Sequence, residues 1–215
     1  MTLEELQAYC APEWDRIQTH PFVVGIGQGT LPDEKLRYFI GQDALYLRDF
    51  YRVLSLIGGR LTPQEGAKTL IHHAETVFLV ENTLHDAIAR YFHMTPDDLQ
   101  KVPLGWVTKG YRDHLVRTAY TESVAVSVAA VLPCYWTYQA IGQKLAPSLP
   151  EHPWLKEWIL TYAGEAYGTA VAEVVHLFEH LPVAPAEEAR IRESYHWSMV
   201  YERRFWDQAW SSGQH

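Results

Sequence analysis

Apolar residues recur along this chain at intervals of three and four for almost its whole length, and no stretch alternates with the period of two that marks a strand. The pattern predicts a first helix over about Thr2 to Gln18, disturbed by Pro12. A turn-rich loop is expected next, from His20-Pro21 through the glycines at 25, 27 and 29. A long helix then starts near Pro32-Asp33 and runs to about Ile57, before Gly58-Gly59. Thr62-Pro63 carries an N-cap and first-turn proline signature and opens another, to about Phe92. Further helices are predicted near Pro96 to Gln100, over Thr108 to Tyr120 and over Glu122 to Leu145, the last containing Pro133. Others cover 153–162, 164–181 and Pro185 to about Trp210. No repeat, linker or low-complexity tract divides the sequence. The fold class expected is all-α, a helical bundle forming one domain over 1–215. The Gly25-x-Gly27-x-Gly29 run is read as a turn, since no strand leads into it as a phosphate-binding loop requires.

Polar residues that fall on apolar stripes carry the functional signal. On the helix starting at Pro32, Leu36, Ile40, Leu47, Phe50, Leu54 and Ile57 share a face with Asp43, and Tyr46 follows one turn later. A buried carboxylate there is either hydrogen-bonded to a neighbour such as Tyr46 or held for chemistry, because an unpaired one is costly. On the final helix, Ile191, Tyr195, Ser198, Phe205 and Trp206 share a face with Glu202. Burial raises the pKa of such a carboxyl toward the range of a useful proton donor. Arg203 and Arg204 point to other faces and are expected in solvent. A third acid, Glu81, lies on the stripe of Leu70, Ala74, Val77, Leu84, Ile88 and Tyr91 and is read as paired with His85.

The helix around Cys134 is apolar nearly all round, which makes it central, and Tyr138 stands one turn beyond the thiol. A lone buried cysteine is ordinarily structural. Here three helices each offer one reactive or acidic group to the interior, each with a ring one turn away. A pocket of a thiol, two carboxyls and aromatic walls suits a planar heteroaromatic ring. The acids can bind ring nitrogens and amines, and a thiolate can add to an electron-poor ring carbon once a ring nitrogen is protonated.

Composition narrows the partners. The chain has 215 residues, 47% of them hydrophobic, with eight tryptophans and thirteen tyrosines, ample material for a packed core. The formal net charge is -8, and no Lys/Arg cluster exceeds the pair Arg203-Arg204, so nucleic-acid binding is not expected. Met1-Thr2-Leu3-Glu4-Glu5 lacks a basic region followed by an apolar one, and the apolar stretch from Ser123 to Trp136 is short for a bilayer span. A soluble cytoplasmic protein without membrane association is the expectation. The two cysteines, Cys10 and Cys134, form no CxxC pair, and no metal or cofactor is expected.

Several segments together resemble one family. His20-Pro21-Phe22-Val23 with Gly25-Ile26-Gly27, Gly29-Thr30-Leu31-Pro32 and Gln42-Asp43 are similar to the opening of the TenA/thiaminase II family. Leu132-Pro133-Cys134-Tyr135-Trp136 at mid-chain and Tyr201-Glu202 with Phe205-Trp206 near the end complete the likeness over the full length. The resemblance implies a heme-oxygenase-like helical bundle that binds no heme and forms a homotetramer. It implies hydrolysis of 4-amino-5-aminomethyl-2-methylpyrimidine to the 5-hydroxymethyl compound and ammonia, and cleavage of thiamin into the pyrimidine and its thiazole. By the same resemblance Cys134 is the nucleophile and Glu202 the acid that protonates a ring nitrogen. Asp43 binds the 4-amino side and helps set the thiol. Tyr46, Tyr111, Tyr138 and Tyr162 are pocket residues, and Phe205 is a stacking ring.

Two rival readings remain at this level. A di-iron carboxylate oxygenase would need inward-facing Glu-x-x-His pairs. Glu173-x-x-His176 and Glu193-x-x-His196 both fall opposite the apolar stripes of their helices (Ala170, Val174, Leu177 and Leu181 for the first), on faces expected to be solvated. A non-catalytic regulator would bind the pyrimidine without turning it over.

Overall fold

Thr2 opens the first helix, α1 (Leu3–Tyr9), through a reciprocal cap: its side chain accepts from the Glu5 N–H, and the Glu5 carboxylate accepts from the Thr2 N–H at 2.8 Å. This computed structural model describes residues 1–62, 64–92 and 102–214, with side chains described except at 65, 80–90 and 92. After α1 come α2 (Ala11–Gln18), α3 (Pro21–Gln28), α4 (Asp33–Gly58), α5 (Gln64–Phe92) and α6 (Trp106–Thr121). Then follow α7 (Val124–Leu145), α8 (Pro153–Ala163), α9 (Glu165–His180), a 3₁₀ turn at Pro185–Glu187 and α10 (Glu188–Trp210). Among the described residues there is no strand. Pro63 and the short helix expected near Pro96 to Gln100 lie outside the described residues.

Two expectations about the first thirty residues need correction. The predicted helix over 2–18 is two helices, broken at Cys10, with Pro12 in the first turn of the second. Proline lacks the N–H that would continue α1 but is tolerated in an opening turn, so the helix stops and restarts. The segment from Pro21 to Gln28, expected as a loop, is helical. His20 caps it in place of the usual Ser or Asp: its Nδ1 accepts from the Phe22 N–H at 3.1 Å. Gly29 ends it in the left-handed conformation, φ 67°, where glycine is favoured. Phe22, Val23 and Ile26 are buried on this short helix, and that packing outweighs the low helix propensity of its glycines.

At the centre lies α7, packed against α4, α6, α8, α9 and α10. Val126, Val128, Val131, Leu132 and Ile141 are sealed from solvent, each such side chain contributing about 1.5–3 kcal/mol by its removal from water. Helix α7 runs through Pro133 to Leu145, and its 22 residues are long and apolar enough to cross a bilayer, contrary to the shorter span read from the sequence. Most of that surface is already covered by neighbouring helices of the same chain. Gly142 lets α8 come close: a Cβ there would stand 2.7 Å from the backbone nitrogen of Ala163. This approach brings Tyr162 of α8 to within 4.9 Å, ring to ring, of Tyr138 on α7.

A buried polar node joins α4, α6 and α10. Gln42 Nε2 donates to the Pro103 carbonyl at 2.9 Å, while its Oε1 accepts from the Gly105 N–H at 2.9 Å and from Thr108 Oγ1 at 2.7 Å. Gln208 Nε2 donates to Thr108 Oγ1 at 2.9 Å, and Gln208 Oε1 accepts from the Val107 N–H at 3.0 Å. The two glutamines therefore satisfy N–H groups at the start of α6, where Gly105 offers no capping side chain. Gln42→Leu would strand several of these buried groups at about 1–3 kcal/mol each. We expect it to lower stability by at least about 2 kcal/mol, read as a shift in the urea midpoint. A shift below about 0.5 kcal/mol would mean the node is not buried as described.

Candidate functional site

The three groups singled out from separate helices face one cavity of about 500 Å³. Asp43 comes from α4, Cys134 from α7 and Glu202 from α10, and all three line it. Tyr46, Tyr111, Tyr138, Tyr162 and Phe205, the five expected pocket rings, line it too. The rings are braced against one another. Tyr111 lies between Tyr46 at 5.0 Å and Tyr201 at 5.3 Å, nearly parallel to the latter. Tyr138 meets Trp206 at 5.5 Å, and Phe205 sets its edge against Phe39 at 5.8 Å. Such walls hold a flat slot open, with stacking faces for a planar ligand.

Burial governs the charges. Glu202 is 2% exposed and accepts a hydrogen bond from the Tyr111 hydroxyl at 2.8 Å. Loss of solvent raises its pKa to about 8; the Tyr111 bond opposes the rise and the nearby Asp43 charge adds to it. Asp43 is raised by burial to about 7. The Cys134 thiol is pushed well above its ordinary value, first by burial and then by the Glu202 charge; the Tyr46 hydroxyl works against this, and Asp43 adds to it. Burial therefore favours the uncharged form of all three groups, the thiol and both carboxyls. A carboxyl that accepts at Oε1 can carry its proton on Oε2, so Glu202 can hold the Tyr111 bond and still donate to a ligand. No hydrogen bond ties Asp43 to Tyr46, the bland alternative considered for that acid. The Tyr46 hydroxyl instead stands beside the thiol, without a bond of ordinary geometry.

Other expectations fare differently. Arg204 is exposed, but Arg203 is not solvated: its Nε donates to Glu13 at 2.6 Å and its Nη1 to Asp207 at 2.7 Å, tying α10 to α2 away from the cavity. Cys10 is packed in the core at the α1–α2 break, its thiol raised to about 12 by burial. Glu81 and His85 lie outside the described side chains. Glu173, expected on a solvated face, is half-exposed and lines the cavity. It reaches across to α5, where the other ring nitrogen of the same histidine, His73, meets Tyr135. His176 lies against His180, ring to ring at 4.0 Å. Among the described residues no group of three or more His, Cys, Asp or Glu is arranged to hold a metal ion.

The sequence profile of the TENA/THI-4/PQQC family matches residues 8–212. The chain belongs to this family. Within it, an aminopyrimidine aminohydrolase of Bacillus subtilis is 32% identical over 209 residues, covering 96% of this chain and 89% of the relative. An aminopyrimidine aminohydrolase of Halalkalibacterium halodurans is 31% identical over 207 residues, covering 93% of this chain and 91% of the relative. The fold of a TenA homologue from P. horikoshii superposes with a TM-score of 0.90 at 26% identity, covering 97% of this chain and 98% of that one. A Shewanella denitrificans domain described as heme-oxygenase-like matches with a TM-score of 0.78 at 16% identity, covering 98% and 93%. The all-α, heme-oxygenase-like architecture expected from the sequence is therefore the fold of this TenA-type chain.

Sequence reasoning missed several polar lining residues, His73, Tyr135, Tyr167 and Glu173 among them. His73 was within reach of the stripe rule, lying three residues past Leu70 and four before Val77. Tyr135 stood inside the Leu-Pro-Cys-Tyr-Trp segment. Tyr167 donates its hydroxyl to the Cys134 carbonyl at 3.2 Å and meets the Tyr162 ring at 4.9 Å, contacts that no local spacing reveals.

Proposed function

We propose that this chain is a thiaminase II-type hydrolase of thiamin salvage, converting 4-amino-5-aminomethyl-2-methylpyrimidine to the 5-hydroxymethyl compound and ammonia. Cleavage of thiamin at the same methylene is the second reaction of the site. The observation that carries this reading is the meeting of one thiol and two carboxyls, from three helices, in a ring-walled cavity of about 500 Å³. The size suits a single substituted pyrimidine and its leaving group. The names of the relatives support the substrate class.

In the proposed reaction Cys134 gives its proton to Asp43 as sulfur bonds to an electron-poor ring carbon, and Glu202 delivers its proton to a ring nitrogen. Two coupled proton transfers replace the creation of a bare thiolate among buried rings, which desolvation makes costly. A thiol of high pKa is also a strong nucleophile once its proton has left. The substrate's ammonium group departs from the 5-methylene as ammonia, water adds to that carbon and loses one proton to solvent, and expulsion of sulfur returns the exchanged protons to Cys134 and Glu202. The protein acts in the cytoplasm, and a homotetramer would cover exposed rings such as Tyr120.

Ammonia release from the aminomethylpyrimidine by the purified protein tests the reading, and the absence of release with intact folding refutes it. The acid–base assignment predicts a bell-shaped pH dependence of kcat/KM. Activity rises as Asp43 ionises near about 7 and falls as Glu202 loses its proton near about 8, with the limbs belonging to the interacting pair. Asp43→Asn should remove the acidic limb. A flat profile from about pH 6 to 9 would exclude both assignments.

A further inference from the structure

We propose that Tyr135, His73 and Glu173 form a proton relay that takes the proton from the water attacking the substrate methylene and carries it to solvent. The relay rests on the hydrolytic reading above, which leaves one proton without a route to solvent. Cys134 and Asp43 exchange one proton and recover it, and so do Glu202 and the ring nitrogen. Addition of water to the methylene forms a carbon–oxygen bond and frees a further proton at the substrate, deep in a cavity lined by buried rings.

Three lining side chains form a hydrogen-bonded chain from the buried wall of that cavity to a half-exposed carboxylate. The Tyr135 hydroxyl lies 3.1 Å from His73 Nδ1, and His73 Nε2 lies 2.8 Å from Glu173 Oε2. The side chain of His73 is 6% exposed, whereas that of Glu173 is 48% exposed. A carboxylate at Nε2 accepts the N–H there and makes Nδ1 the acceptor of the tyrosine proton, the tautomer that general-base transfer needs. The same order of hydroxyl, imidazole and carboxylate activates nucleophiles in hydrolases on unrelated folds. Here the hydroxyl itself is not the nucleophile. Water gives a proton to the Tyr135 oxygen as the tyrosine proton passes to Nδ1, and the imidazolium stands against Glu173 until solvent takes the proton. Outside, that proton meets the departed ammonia, so the overall change is ammonium and alcohol from substrate ammonium and water.

The pieces come from α5, α7 and α9, and Tyr135 follows the nucleophile in sequence. On an α-helix that places its ring about 100° around from the thiol, against the adjoining wall. Tyr135 is buried and held by rings, with His73 at 5.7 Å and Phe50 at 5.8 Å. It is thus fixed in place, as a relay hydroxyl must be.

Ammonia release by the purified protein is measured first, then in Tyr135→Phe, His73→Ala and Glu173→Gln. His73→Ala is expected to lose about a hundredfold in kcat with KM changed less than about threefold, and added imidazole should restore part of kcat. Glu173→Gln, at a half-exposed position that tolerates substitution, should lose about tenfold in kcat with the fold intact, and Tyr135→Phe should resemble His73→Ala. Wild-type kcat in Glu173→Gln and Tyr135→Phe would overturn the relay. So would a His73→Ala defect confined to KM, or one that imidazole leaves unchanged. If His73→Ala does not fold, the other two variants decide. An inactive wild-type protein would instead remove the hydrolytic reading and the relay with it, whereas an active wild type with unaffected variants removes the relay alone.

Discussion

Cys134→Ser is expected to reduce ammonia release by about a thousandfold or more, because loss of a nucleophile removes the covalent route rather than weakening it. Serine matches cysteine closely in size. The side chain faces the cavity beside the Tyr46 hydroxyl, so an oxygen there has a polar neighbour and the fold should survive. The hydroxyl holds its proton far more tightly than a thiol does, and the burial that raises the Cys134 pKa would act on it as well. Circular dichroism and ligand binding like those of the wild type, with no turnover, is the expected combination. Release of ammonia at a comparable rate by a folded variant would mean that sulfur does not bond to the substrate.

Glu202→Gln carries the second large effect, and it acts on activity and stability in opposite directions. Loss of a positioned proton donor is expected to slow turnover by about a hundredfold or more while the ligand still binds. Stability follows from linkage. The folded protein holds the Glu202 proton up to about pH 8, whereas the unfolded chain releases it near the ordinary carboxyl value. Between those values the native state binds more protons than the unfolded state, so stability falls as pH rises. The favourable contribution is complete below the ordinary carboxyl value and is lost as pH climbs through about 8. Glutamine carries no charge at any of these values, and its amide oxygen can accept the Tyr111 hydroxyl. The variant should therefore gain on the wild type between about pH 6 and 9, by an amount on the order of a few kcal/mol. Thermal unfolding across that range measures it. Parallel curves would show that the carboxyl is not desolvated in the native protein. A slower yet more robust variant is what a site built from buried acids leads one to expect.

Much of this was legible in the order of residues, for a definite reason. Helical periodicity depends on neighbours three and four positions apart, so α4 and α6 to α10 appear close to their predicted places. Asp43 and Glu202 stand out because a charged group on an otherwise apolar stripe costs free energy unless something compensates it. Cys134 was less visible by pattern: α7 is buried on nearly every side, and a thiol there looks like any small core residue until family likeness singles it out. The α3 segment was misread because its cap is a histidine and its interior holds glycines, so only its packing makes it a helix. Arg203 was misread because its partner Glu13 sits 190 positions away in the chain.

By itself, the sequence determined which groups exist and which helix face carries each one, since both follow from local spacing. Tertiary structure decided which faces meet. The convergence of α4, α7 and α10 on one cavity, the contact of Tyr135 with His73 and the reach of Glu173 across to α5 all depend on helices brought together from distant parts of the chain. So do the raised pKa values of Asp43, Cys134 and Glu202. Those shifts come from the removal of water by surrounding side chains, and no residue carries that property until its neighbours have packed around it.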